Sequence, residues 1–413
     1  MAQRRRANPQ SSALGEEAGT HTAAAPRPHV SQRGNASRQW ETIALTLQGG
    51  GALGAYQAGV YQGLAEAGIE PDWIAGISIG ALNTALIAGN PPELRVARLR
   101  EFWETICQPA FSVPLPGFVE HALFNSGEPL RKAFTAMQAA GALVEGQKGF
   151  FVPRFPPPLP QASGHPEKAS YYDTKPLKAT LERLCDFDRI NSGETRVSIG
   201  AVNVGSGNFV YFDNTTTTLR PEHFMASGAL PPGFAAVEID GEYYWDGGLM
   251  SNTPLYEVIA TTPRRDTLAF QVDLWSALGP VPDSIADVQG RMKDIQYSSR
   301  TRMVTDLLQR SQRFRHALRE VLDRVAPEHR DDPWVRLADE LACSKKYNVI
   351  HLIYRQKEYE GHYKDFQFGL STMLEHWESG LRDIRRSLEQ PDWLARPDND
   401  AGFITHDIHR DGR

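Results

Sequence analysis

The chain runs to 413 residues, with 44 Lys and Arg against 50 Asp and Glu and a net charge of −6 at pH 7. That length exceeds the size at which one hydrophobic core keeps growing, so a large α/β domain with appendages is expected. The acidic balance leaves no concentrated basic surface, which argues against nucleic acid as a partner and against a global pull toward anionic membranes. Cys107, Cys185 and Cys343 are scattered, with no C-x-x-C pair to suggest zinc or a disulfide framework, a pattern that fits a reducing cytoplasm.

Residues 1–40 carry almost no large apolar side chains and cannot offset their chain entropy by burial, so a disordered tail is expected. Arg4-Arg5-Arg6 is not followed by an apolar run before Trp40, and no stretch of about 18 apolar residues occurs anywhere; neither an export signal nor a membrane span is expected. From Thr42, strands and helices alternate over short connections, the pattern of βαβ units in a parallel sheet. A strand at Ile43–Leu47 leads into Gln48-Gly49-Gly50-Gly51-Ala52-Leu53-Gly54 and then a helical stretch from Ala55 to Ala67. Open backbone N–H groups at a helix start can hold the oxyanion of an acyl-transfer intermediate, worth roughly 3 to 4 kcal/mol per donor. The same glycines could cradle a phosphate, but no Gly-Lys-Ser/Thr follows. Gly49, Gly51 and Gly54 also match G-x-G-x-x-G, although the next strand supplies Gly-x-Ser-x-Gly where a ribose-binding acid would be sought.

That pentapeptide, Gly76-Ile77-Ser78-Ile79-Gly80, lies between apolar Trp73-Ile74-Ala75 and helix-prone Ala81–Leu86. Strand, sharp turn and helix in that order describe a nucleophile elbow, with glycines leaving room for strained torsions and Ser78 exposed at a helix N-terminus. Arg95–Cys107 reads as an amphipathic helix, after which prolines interrupt any regular pattern across 109–172. Phe111, Phe118, Phe124, Phe150, Phe151 and Phe155 make this insert aromatic, which suits a lid or acyl-binding wall as well as simple packing on the domain. Asp173-Thr174-Lys175-Pro176 starts a helix carrying Leu177, Leu181 and Leu184. Val197–Val202 and Phe209–Phe212 form a hairpin signal.

Asp240-Gly241 is a second hairpin turn, so Asp246-Gly247-Gly248 leaves a strand on a loosened loop from which a carboxylate can reach back to a serine. His223, His351 and His362 lack such a setting, so a Ser78–Asp246 dyad is preferred over a triad. Leu268–Leu274 reads as a buried strand whose Asp273 has no histidine partner in view and is taken as structural. The core closes near 276, giving a domain over 41–276 and an extension over 277–390 with a tail at 391–413. Within the extension, Ile285–Val325 is a long helix with an apolar stripe among arginines, which either packs on its own domain or lies on an anionic membrane. Tyr347–Tyr354 reads as a strand and Ser371–Leu388 as a helix, and His351, His362 and His376 lack metal-ligand spacing. No metal and no cofactor is expected.

Together the Gly-rich loop, G-x-S-x-G one βα unit later and a distal D-G-G resemble the patatin-like phospholipase family, over about Thr42 to Leu274 without the insert. Ala226-Ser227-Gly228-Ala229-Leu230-Pro231 and Asn252-Thr253-Pro254-Leu255 resemble further family stretches. The resemblance implies an α/β, three-layer fold with a mainly parallel central sheet flanked by helices, plus a mostly helical C-terminal extension like that of some bacterial members. It implies a serine lipid acyl hydrolase with Ser78 and Asp246 catalytic, Gly49, Gly50, Gly51 and Ile79 around the oxyanion, and Gly54, Gly76, Gly80, Gly247 and Gly248 as motif glycines. A lipid or other acyl ester is the expected partner, with peripheral membrane contact open and no oligomeric state implied. Leu53 departs from the family, many of whose members carry Arg or Lys there; backbone amides would then act alone. A transacylase with the same dyad, or a catalytically idle lipid- or granule-binding scaffold, are the alternatives.

Overall fold

The computed structural model describes residues 39–158, 164–397 and 402–409, apart from the side chains at 299–302. The expected tail at 1–40 lies almost wholly outside the described residues. Strand β1 (Thr42–Leu47), helix α1 (Ala55–Glu66), β2 (Trp73–Ile77) and α2 (Ile79–Ala88) follow the expected alternation. Helix α3 (Pro92–Ile106) comes next, then α4 (Gly117–Phe124) and α5 (Glu128–Glu145). The insert at 109–172 is therefore partly helical rather than irregular. Its prolines mislead because Pro116 caps α4 and Pro129 sits in the first turn of α5, where a missing N–H costs nothing.

A short antiparallel pair, β3 (Val152–Pro153) and β4 (Tyr172–Asp173), precedes α6 (Lys175–Leu184) and α7 (Phe187–Asn191). Strands β5 (Arg196–Asn203) and β6 (Phe209–Asp213) form the expected hairpin. Helix α8 (Pro221–Ser227) leads to a second hairpin, β7 (Val237–Ile239) and β8 (Glu242–Asp246), turned by Asp240 and Gly241 at φ 53 and 89°. Helix α9 (Leu255–Ala260) and β9 (Thr267–Asp273) follow. Then come α10 (Ile285–Leu322), α11 (Pro333–Leu341), β10 (Tyr347–Ile353), α12 (Leu370–Leu388) and β11 (Phe403–Asp407). The expected tail at 391–413 thus returns an edge strand. Its alternation is too short and polar to stand out in sequence.

Nine strands make one sheet in the order β11-β10-β9-β1-β2-β5-β8-β7, with β6 also paired to β5. From β11 to β5 every pairing is parallel, and β6, β7 and β8 close the far end antiparallel. Alternation sends Leu45, Phe270 and Leu352 to one face and Ala44, Ala269 and Val349 to the other, and each face has its own buried cluster. Helices on both sides satisfy the need of a parallel sheet for cover. The larger cluster joins α1, α2, α3 and α12, the smaller one α9 and α10.

Helices α1 and α12 lie almost backbone to backbone. A Cβ at Gly59 would fall 1.9 Å from the Trp377 carbonyl oxygen, and one at Gly380 would fall 2.0 Å from that of Tyr56. Only glycine permits that approach. Residues beyond 276 therefore supply two strands of the main sheet and a helix packed on α1.

Candidate active site

Ser78 follows β2 and precedes α2 with φ 56° and ψ −124°, a torsion pair that costs a non-glycine residue on the order of 1 to 3 kcal/mol. Two interactions hold it there. The Ser78 N–H donates to Ser227 Oγ at 2.9 Å, and that hydroxyl donates to the Gly200 carbonyl at 2.6 Å. Gly80 lets the first turn of α2 press on β1, because a Cβ there would lie 2.3 Å from the Leu47 carbonyl oxygen.

Strand β5 brings the carboxylate to the serine. It pairs Gly200 with Ile77 of β2 on one side and Ala201 with Asp246 of β8 on the other. Ser78 Oγ donates to Asp246 Oδ2 at 2.6 Å, and the Gly248 N–H donates to Asp246 Oδ1 at 2.7 Å. Asp246 is 2% exposed. Burial pushes its carboxyl from 3.8 up to about 7, against the opposing pull of those two hydrogen bonds. A carboxyl poised there can take a proton near neutral pH.

The Gly-rich loop is pinned from below by Gln48, which is fully buried. Its Oε1 accepts from the N–H groups of Leu274 and Trp275 at 2.6 and 3.1 Å, and its Nε2 donates to Thr253 Oγ1 at 2.9 Å. Gly49 does not match the expectation of an open amide. Its N–H points at the Asn252 carbonyl at 3.4 Å, while its own carbonyl accepts from Asn252 Nδ2 at 3.0 Å and Trp275 Nε1 at 2.8 Å, so it anchors the loop. The amides of Gly50, Gly51 and Ile79 have no hydrogen-bond partner among the described residues. Gly51 sits at φ 56°, and a Cβ there would fall 2.0 Å from the Asp365 carbonyl oxygen. Leu53, where a cation is common in the family pattern, is buried in the main core.

Gly49, Gly50, Gly51, Ser78, Ile79 and Asp246 all border one cavity of about 400 Å³. Its walls are apolar: Phe150, Phe151, Phe234, Leu230, Trp275, Tyr297, Phe366 and Phe368, with the Phe368 ring packed edge-on against Phe150 and Phe151. Among the described residues no Lys or Arg lines it. Of the insert aromatics, Phe150 and Phe151 join this wall, while Phe111, Phe118 and Phe155 are exposed. Phe366 and Phe368 come from the C-terminal region and carry no motif; the only signal is the Phe-Gln-Phe run ahead of α12. Ion pairs fix their segment to α10, Lys364 Nζ to Asp294 Oδ1 at 2.6 Å and Lys293 Nζ to Asp365 Oδ1 at 2.7 Å.

Among the described residues no histidine lines the cavity. Asp273 does have a histidine partner, contrary to expectation: His351 Nε2 lies 2.6 Å from its Oδ2, because β10 pairs with β9 and sets His351 opposite Gln271. His376 is buried against Glu360 at 2.6 Å. Among the described residues no cluster of three or more His, Cys, Asp or Glu is placed to hold a metal, and no helix is long and apolar enough to cross a membrane.

The sequence is 55% identical over 47 residues to lysophospholipase nte1 of Aspergillus terreus, a match covering 11% of this chain and 3% of that relative's length. VipD of Legionella pneumophila aligns over 82% of this chain and 67% of its own, at 15% identity and a TM-score of 0.30. ExoU of Pseudomonas aeruginosa, solved in complex with SpcU, aligns over 63% and 50% at 17% identity and a TM-score of 0.26. Scores that low add nothing to the sheet topology itself. A patatin phospholipase family also matches residues 295–400. The patatin-like phospholipase family matches residues 45–259, a span that holds the Gly-rich loop, Ser78 and Asp246, and the chain belongs to that family.

Proposed function

We propose that the chain is a serine lipid acyl hydrolase of the phospholipase or esterase type, working through Ser78 and Asp246. The observation that carries the reading is the 2.6 Å hydrogen bond from Ser78 Oγ to a buried Asp246, at the edge of an apolar cavity bordered by unpaired amides. Asp246 takes the Ser78 proton as Oγ attacks the ester carbonyl carbon. Negative charge gathers on the carbonyl oxygen, within reach of the Gly50, Gly51 and Ile79 amides, which need no rearrangement to receive it. The tetrahedral intermediate collapses, the C–O bond to the leaving group breaks, and Asp246 returns the proton to the departing alcohol. Water then gives a proton to Asp246 and attacks the acyl carbon. Collapse of the second intermediate frees the carboxylic acid, and Ser78 Oγ recovers its proton from Asp246.

A carboxylate is a weak base at its ordinary pKa. Burial that moves Asp246 to about 7 raises its basicity without a histidine. The apolar walls suit an acyl chain, and with no Lys or Arg among the described lining residues it is the backbone dipoles that support the oxyanion.

A fluorophosphonate probe tests this reading. The parent chain should be labelled and Ser78→Ala should not, and the parent should release acid from acyl esters with kcat/KM rising through an apparent pKa of about 7 as Asp246 ionises. A folded parent that neither labels nor turns over acyl esters would sink the proposal.

A further inference from the structure

Helix α10 has two apolar faces. The inner one carries Val304 and Leu308 against the smaller core cluster. The outer one presents Ile285, Met292, Met303, Leu307, Phe314 and Val321, each more than half exposed. At 3.6 residues per turn these six fall in a stripe about 60° wide, its centre about 110° around the helix from Val304 and Leu308 and about 170° from buried Asp294 and Gln312. A stripe of that length with no partner among the described residues marks an interaction surface.

Charge selects the partner. The 38 residues of α10 carry eight Lys and Arg against four Asp and Glu, a net +4 in a chain of −6. Arg310 lies within the stripe and Arg313 beside it, both exposed. A second copy docking through α10 would bring two +4 helices together, whereas an anionic lipid surface attracts such a helix and accepts its apolar stripe. Trp334, exposed on neighbouring α11 with Leu337 and Leu341, adds a side chain favoured at the membrane interface.

The same helix also reaches the candidate active site. Tyr297 of α10 lines the cavity, and Gln296, Tyr297 and Val304 border the loop from Gly248 to Thr253 that follows Asp246. Leu249 and Met250 on that loop are exposed. The paired bridges Lys293–Asp365 and Lys364–Asp294 tie α10 to the cavity wall.

We propose that the outer face of α10 seats on an anionic phospholipid surface, the Met303–Leu307–Phe314 stripe entering the headgroup region and Arg310 and Arg313 meeting lipid phosphates. This docking goes beyond the hydrolase reading and does not depend on it.

Co-sedimentation with vesicles tests it in the full chain carrying Ser78→Ala, so that turnover cannot alter the lipid. The protein should bind mixed phosphatidylglycerol–phosphatidylcholine vesicles and bind pure phosphatidylcholine on the order of tenfold more weakly. Met303→Asp/Leu307→Asp/Phe314→Asp should lower partitioning about a hundredfold with an unchanged thermal melt, since these side chains make no core contacts. Arg310→Glu/Arg313→Glu, which spares the apolar stripe, should weaken binding to the anionic vesicles alone. No binding, or undiminished binding by both variants, would overturn the proposal, as would a dimer in sedimentation velocity that the triple variant splits, which would assign the face to a second copy. Hydrolysis of a short, soluble ester by the Ser78 parent and its triple variant reports separately on the catalytic reading: its absence would leave the vesicle result standing.

Discussion

Two carboxylates end strands of the same sheet, and each is hydrogen-bonded at 2.6 Å: Asp246 to a serine, Asp273 to a histidine. By side-chain identity alone the second pair, a carboxylate beside an imidazole, is the more familiar acid–base couple. The surroundings are what support proposing the first instead. Asp246 faces a strained serine, three unpaired amides and an apolar cavity, whereas Asp273 has Gln271 Nε2 at 3.0 Å beside its histidine and no nucleophile among its partners. Chemistry follows from the convergence of donor, acceptor and space, of which a short hydrogen bond is one part.

The contrast can be broken most sharply at the nucleophile. Ser78→Ala should cut turnover by about four orders of magnitude or more, while Asp273→Asn should leave kcat/KM within a few fold and lower the melting temperature. Steady-state kinetics with thermal melts of both variants checks this, and a comparable loss of turnover in Asp273→Asn would move the chemistry to the other strand end. A second test uses stability. Folded Asp246 keeps its proton to about pH 7, and the unfolded chain releases it near 3.8, so the folded state binds more protons between those values and stability falls as pH rises through that window. The cost above pH 7 is about 4 kcal/mol. Asp246→Asn should abolish turnover yet flatten that decline, a pairing visible in denaturant melts at pH 5 and 8.

A smaller effect is expected at Gly51→Ala. Its Cβ would meet the Asp365 carbonyl oxygen at 2.0 Å from a left-handed backbone, so the amide must shift, lowering kcat by about a hundredfold with KM little changed. The smallest belongs to Phe368→Ala, which widens the cavity wall and should change the kcat/KM ratio between long and short acyl esters by roughly tenfold. An unchanged chain-length profile would remove the C-terminal segment from substrate selection.

What was legible in sequence was what local backbone geometry dictates. Gly76 and Gly80 around Ser78, the loop at Gly49–Gly51 and the turn after Asp246 each need particular residues at fixed spacing, and their order along the chain foretold their meeting. Ser227 was visible as part of a family stretch, but its bridging hydroxyl was not, because the hydrogen bonds link it to Ser78 and Gly200 across three elements. The His351–Asp273 pair depends on β10 lying beside β9, a neighbour relation that no local pattern encodes. Helices α4 and α5 were hidden by prolines that begin them. Phe366 and Phe368 were hidden by distance: nearly three hundred positions separate them from Ser78, and nothing about an aromatic pair announces which cavity it will face.

The locked crossing of α1 and α12 has a consequence for the cavity's dimensions. The Gly-rich loop opens α1, the segment bearing Phe366 and Phe368 opens α12, and the helices run side by side in the same direction, Gly59 against Trp377 and Gly63 against Ile384. One jaw of the cavity is thus mounted on the same rigid strut as the loop that would hold the oxyanion. Phe150 and Phe151 of the insert stand against it, their rings 5.9 and 6.4 Å from that of Phe368, so the insert wall leans on the strut through one aromatic side chain. The distance from Gly51 to Phe366 is thereby a fixed gauge against which an acyl group is measured.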